Sequence, residues 1–313
     1  MEHYYLHTKR FSNSIITTLL FGIRTPTYNI QHAKDLYDIM ERWSEVMEPG
    51  NTPPVDIYPI FKYIPESIFG NWVTRVSNVG KDMEKLYANI LQKYRSKSAR
   101  KKSIHESFFY TLFKEPKQEF TPHQLAFVGG VQMEGGSDTS ASILTAFVQA
   151  MVQWPEVQQI AQAEINALIG EDRSPTWSDF SQLPYINAIM KECHRWRPVT
   201  PLGFPHALSE DEMLDDYVLP KGSAIILNVW GIQNDETDVF LGIAKLLWAF
   251  KFEEVVEDGQ SIKMNVDPET GYTRGFLHCA LPFRCKITVR GEKRKDTILR
   301  EFEHAQQIFR EYY

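Results

Sequence analysis

The chain has 313 residues, with 34 basic and 40 acidic side chains and a net charge of −6. A 43% hydrophobic and 24% charged content matches a globular protein and excludes a disordered one, and the acidic balance leaves no footprint for nucleic acid. The length suits one large domain or two small ones, and the 13% aromatic content suits a large apolar or ligand-filled interior.

Three cysteines, none in a Cys-x-x-Cys pair, cannot form a disulfide framework, which fits a reducing compartment. The opening MEHYYLHTKR lacks the order of a secretory signal. The apolar run Ile15 to Ile23 is far short of the ~20 residues a bilayer helix requires. As written, the sequence reads as soluble and cytoplasmic.

Apolar residues at three- and four-residue spacing predict helices over 29–47 and 71–94. The proline-rich stretch 50–67 between them reads as a packed connector. The basic run 93–103 reads as a solvated helix end or loop. Thr121 suits an N-cap, Pro122 the first turn and Gln124 a capping box. They open a helix predicted over 122–153, about 48 Å long at 1.5 Å per residue and apolar on most sides, so interior. Pro155 starts a further helix ending near Gly170, and a third runs over 184–197. Residues 217–227 read as two strands around a Pro-Lys-Gly turn. A helix is expected over 241–252, strands over 262–266 and 286–289, and an amphipathic surface helix over 296–313. The class is mainly α with a small β portion.

Two features carry possible chemistry. Inside the long helix lies Gly135-Gly136-Ser137-Asp138-Thr139-Ser140. Paired glycines in a helix interior cost roughly 1 kcal/mol each relative to alanine. The segment is therefore either a loop between two shorter helices, capped by Ser137 or Asp138, or a break where backbone approaches a ligand. In the second case Asp138 and Thr139 supply an acid and a hydroxyl for passing a proton or holding a polar ligand. The second feature is Glu192-Cys193-His194-Arg195, whose Glu and Arg suit an ion pair on one helix face. No phosphate loop, nucleophile elbow or paired zinc ligands are present in the sequence.

Taken in order, GGSDTS, the Glu-x-x-Arg helix, its continuation KECHRWRPVTPLGFPHA and the later NVWGIQND resemble the cytochrome P-450 family of haem-thiolate monooxygenases. The wording is most similar to the fungal branch that oxidises hydrophobic secondary metabolites. The resemblance implies a single cytochrome P-450-like domain over 1–313, haem as cofactor, electrons from an NADPH-cytochrome reductase and a hydrophobic small-molecule substrate. It implies that Gly135 and Gly136 kink the helix so that dioxygen can sit against it. Asp138 and Thr139 would deliver protons for O–O cleavage, and Glu192 and Arg195 would brace the core beneath the haem. His206 would face a haem propionate, and Phe127, Val131, Leu202 and Leu277 would line the substrate pocket.

The departures are as informative. The family's iron ligand is a cysteine in a Phe-x-x-Gly-x-x-x-Cys-x-Gly loop. Here DETDVF, ending at Phe240, runs directly into LGIAKLLWAFKF from Leu241, which looks like the helix that follows that loop. None of the three cysteines substitutes, because Cys193 lies in the Glu-x-x-Arg helix and Cys279 and Cys285 in the terminal β region. The family's membrane anchor, commonly in the endoplasmic reticulum, and its first helices are also missing from the sequence as written. The expectation is an impaired or inactive monooxygenase; the alternative is a non-catalytic helical scaffold that binds an apolar ligand or a partner.

Overall fold

The computed structural model describes residues 3–48, 50–55, 57–99, 107–115, 119–201, 203–226, 229 and 239–310. Leu202, part of the basic run and all of NVWGIQND except Val229 therefore lie outside the described residues.

The helices in chain order are α1 (Tyr4–Phe21), α2 (Gln31–Met47), α3 (Trp72–Ala99), α4 (Phe108–Lys114), α5 (Pro122–Gln153), α6 (Pro155–Leu168), α7 (Pro184–Trp196), α8 (Val239–Ala249) and α9 (Glu292–Phe309). Among the described residues eight short strands accompany them: β1 (His206–Ala207), β2 (Glu212–Leu214), β3 (Tyr217–Leu219), β4 (Ala224–Ile225), β5 (Phe250–Glu253), β6 (Val255–Glu257), β7 (Gln260–Ile262) and β8 (Lys286–Val289). The architecture is mainly helical. No described helix is long and apolar enough to cross a membrane.

Helix α5 is the axis of the molecule. Thr121 Oγ1 accepts from Gln124 N at 3.2 Å, and the Thr121 amide donates to Gln124 Oε1 at 2.9 Å, completing the capping box. Pro155 then ends α5 by starting α6. From Ala141 to Val152 every residue of α5 is buried. Small residues allow its neighbours to approach closely. A Cβ on Gly130 would lie 2.2 Å from the Tyr87 ring of α3, and one on Gly129 2.6 Å from Phe21 of α1. Around the C-terminal half pack α6, α7 and α8, with Gly242 of α8 fitted against Leu144. Sheet β5–β8 lies alongside, where the Phe252 ring meets Phe147 edge to face at 6.0 Å.

Three expectations are corrected. The loop reading of 135–137 fails, because α5 stays helical throughout. Packing of the buried face of the helix outweighs the propensity cost of the glycines. The helix expected to reach Phe252 stops at Ala249, since the alternating FKFE segment finds a ready partner in Lys286–Val289. The two strands expected around Pro-Lys-Gly are present as β3 and β4, although they do not pair with each other. Instead β2 and β3 form a hairpin with left-handed Asp215 in its turn, and β1 pairs with β4. The strand expected over 262–266 is not formed: β7 ends at Ile262, and its turn from β6 uses Asp258 and Gly259 at φ 50° and 76°. Asp-Gly is a common two-residue hairpin pair because both positions take positive φ.

Candidate functional site

The four-residue spacing of α5 sorts the candidate residues into two faces. Val131 and Gly135 are exposed, and Phe127 and Thr139 are half-buried on the same stripe. The Thr139 hydroxyl donates back to the Gly135 carbonyl at 2.6 Å, so it satisfies its own helix. Nothing lies within 4 Å of a Cβ placed on Gly135. Gly136 instead meets α1: a Cβ there would sit 2.8 Å from Ile16, and the Gly136 carbonyl accepts from Ser12 Oγ at 2.8 Å.

Asp138 belongs to the buried side, at 8% exposure. Burial raises its carboxyl above the usual carboxylate range, opposed by the nearby Lys9 ammonium. Lys9 sits 4.5 Å over the Tyr37 ring, and the Tyr37 hydroxyl donates to the Lys9 carbonyl at 2.7 Å. Ser142, one turn along, places its Oγ 2.8 Å from Cys279 Sγ. Asp138 and Thr139 are thus neighbours in sequence that face different surroundings.

The remaining candidates are dispersed. Arg195 donates from Nε to Glu192 Oε2 at 2.7 Å and from Nη2 to Oε1. This bidentate pair is exposed on both sides and holds the Glu192 carboxyl below its ordinary range. His206 is exposed on β1. Leu277 is buried, its amide donating to Ser44 Oγ of α2 at 2.9 Å. Beside it the Phe276 ring packs with Phe204 and Trp43 at 4.7 and 5.5 Å. Phe127 meets Tyr87 edge to face at 5.2 Å.

Sequence reasoning missed Tyr37 and Lys9 beside Asp138, and a buried relay near the end of α5. There Arg197 Nε donates to the Tyr272 hydroxyl at 2.7 Å, and Tyr272 donates in turn to Gln149 Oε1. Residues so far apart leave no local spacing signal. Also unforeseen was an apolar cleft of about 350 Å³ between α5, α6 and α7, lined by Met151, Trp154, Tyr185, Ile189, Cys193 and Trp196.

Cys193 and Cys285 are buried and Cys279 is half-buried. Burial pushes Cys193 and Cys279 up to about 12 and Cys285 up to about 11, so all three are neutral at physiological pH. Among the described residues no group of His, Cys, Asp and Glu is arranged to hold a metal ion.

The cytochrome P-450 family model matches residues 5–240. The chain belongs to the cytochrome P-450 family. It is 61% identical to a cytochrome P-450 monooxygenase of Arthrobotrys oligospora, with 99% of this chain and 68% of that protein covered. It is 43% identical to the cytochrome P-450 monooxygenase macC of Penicillium terrestre and 42% identical to yanC of Aspergillus niger, each over 97% of this chain and 68% of the relative. The match to the Arthrobotrys protein extends over 367 positions, 54 more than the 313 residues here, so at least that many positions face no residue of this chain. The excess for macC and yanC is 50, the difference between 363 and 313.

Proposed function

We propose that this chain carries the scaffold of a monooxygenase that inserts oxygen into a hydrophobic secondary metabolite with reductase-derived electrons, and that it lacks the thiolate such chemistry requires. The observation carrying the second half is the donor set. Haem in this family takes a cysteine thiolate, whereas Cys193 is buried within α7, Cys285 is buried just before β8, and Cys279 Sγ lies 2.8 Å from Ser142 Oγ. These residues do not fit the cofactor, so no oxygen-activating step is assigned to the chain. Two further observations support the reading. The aligned relatives contain at least 50 positions with no counterpart here, and the family match stops at Phe240, beside the junction where the ligand loop is expected.

The roles that the resemblance gives to Gly135, Gly136, Asp138, Thr139, His206, Glu192 and Arg195, and to the pocket residues Phe127, Val131, Leu202 and Leu277, belong to a chain carrying that segment. The open stripe on α5 and the exposed Glu192–Arg195 pair are surfaces such a segment and its cofactor would cover. A non-catalytic scaffold is the second reading, and the apolar cleft beside Cys193 favours it.

The test is reconstitution with hemin, followed by reduction under carbon monoxide. The 313-residue chain is expected to give no Soret band of thiolate-ligated haem. A chain with the Arthrobotrys segment inserted after Phe240 is expected to give one. A thiolate band from the 313-residue chain refutes the reading, and failure of the repaired chain favours the scaffold.

A further inference from the structure

A second cleft lies where α9 returns to the start of the chain. It has a volume of about 550 Å³ between the C-terminal end of α9, α1 and the segment 24–28, within the range of small-molecule sites. Its charged wall is formed by Arg10, Arg24 and Arg310, and its apolar wall by Tyr28, Phe302 and Phe309. Among the described residues no carboxylate lines it, although the whole chain carries a net charge of −6. The guanidinium groups of Arg24 and Arg310 therefore make this spot attractive to an anion.

The geometry favours one kind of anion. The Arg24 guanidinium lies 3.3 Å over the Phe309 ring centroid, a stack that leaves its in-plane N–H groups available at the edge. Among the described residues neither Arg24 nor Arg310 forms an ion pair. Phe302 is half exposed, at 51%, on the same helix face. Guanidinium groups match a carboxylate bidentately, and the rings offer flat faces for an aromatic body.

We infer that this cleft is a binding site for an aromatic carboxylate, whose charge is held by Arg24 and Arg310 and whose ring stacks between Phe302 and Tyr28. A bound ligand ties the last turn of α9 to the 24–28 segment. The site is independent of any haem.

Titration calorimetry of the full chain with 2-naphthoate at low salt tests this. Binding is expected, with Arg24→Gln and Arg310→Gln each weakening it about tenfold, the size expected for one charge-assisted hydrogen-bonding group. Phe302→Ala is expected to weaken naphthoate binding as well, and the neutral 2-naphthylmethanol is expected not to bind. Arg310 caps an exposed helix end, so its variant reports on binding even if Arg24→Gln fails to fold. Unchanged affinity in Arg310→Gln would place the ligand elsewhere, such as the Trp154 cleft, and overturn the assignment. Equal affinity for inorganic phosphate would overturn the aromatic specificity.

Discussion

Glycine substitutions on one helix separate tight approach from mere presence. Gly130 faces the Tyr87 ring at a distance that no Cβ can share, and that ring is fully buried. Gly130→Ala is therefore expected to lower unfolding free energy by about 1–3 kcal/mol through overpacking. Gly135, five residues on, has open space around it. Gly135→Ala is expected to raise stability by up to about 1 kcal/mol through helix propensity alone. Urea titration of the two variants reads the opposite signs, and equal destabilisation would contradict the packing account.

A buried acid adds a pH signature at the same scale. Burial raises the Glu134 carboxyl to about 7, despite the hydrogen bond from the Tyr87 hydroxyl that opposes the shift. Because the folded value exceeds the unfolded one of 4.5, Glu134 contributes its full stability below pH 4.5 and loses it as pH rises to about 7. The difference amounts to ~3 kcal/mol. Glu134→Gln is expected to flatten the stability profile between those limits. A wild-type and a variant profile that run parallel would show that Glu134 ionises normally.

Among elements, α5 is joined to the segment after α7 and to the 272 turn by the chain Arg197–Tyr272–Gln149. All three residues are buried, and Arg197 Nη2 also donates to the Val266 carbonyl at 2.8 Å. Tyr272→Phe removes the hydroxyl that serves both neighbours. It is expected to cost about 1–3 kcal/mol, the penalty for leaving buried polar groups unpaired. Gln149→Leu combined with Tyr272→Phe is expected to cost less than the sum of the two, measured as a double-mutant cycle in thermal unfolding. Additive costs would mean that the relay does not act as a unit.

This scale also separates what sequence conveys from what it conceals. The bounds of α5 were legible because Thr121-Pro122 and Pro155 punctuate a long apolar run, a purely local signal. Pairing between strands was not, because β1 meets β4 and β5 meets β8 across intervening chain, and two-residue strands carry almost no pattern. The Asp258-Gly259 turn was a local signal that could have been read. For the site, the Gly-Gly-Ser-Asp-Thr segment and the Glu192–Arg195 pair were visible as spacings. Which face of α5 each residue takes was not, since that depends on how α1 and the 272–281 segment dock.

For the molecule as a whole, the position of apolar surface predicts behaviour in solution. Trp154 and Trp196 pack edge to face at 5.0 Å at the rim of the apolar cleft, and Trp154 remains 38% exposed. Elsewhere Ile57, Tyr63 and Ile68 are exposed at 71%, 85% and 68% between α2 and α3. Exposed apolar side chains of this size favour association, and sulfate strengthens the drive by being excluded from protein surface. The purified chain is expected to show a sedimentation-average mass that rises with concentration and rises further in sulfate. Trp154→Lys is expected to reduce the association by placing a charge at the cleft rim. On the function proposed above, insertion of the relative's segment after Phe240 is expected to reduce it further, since the proposal has that segment cover the same face. A protein that stays monomeric in sulfate, or that unfolds in one sharp high-temperature transition without haem, would show that the chain has closed these surfaces by itself and needs neither cofactor nor segment to complete its core.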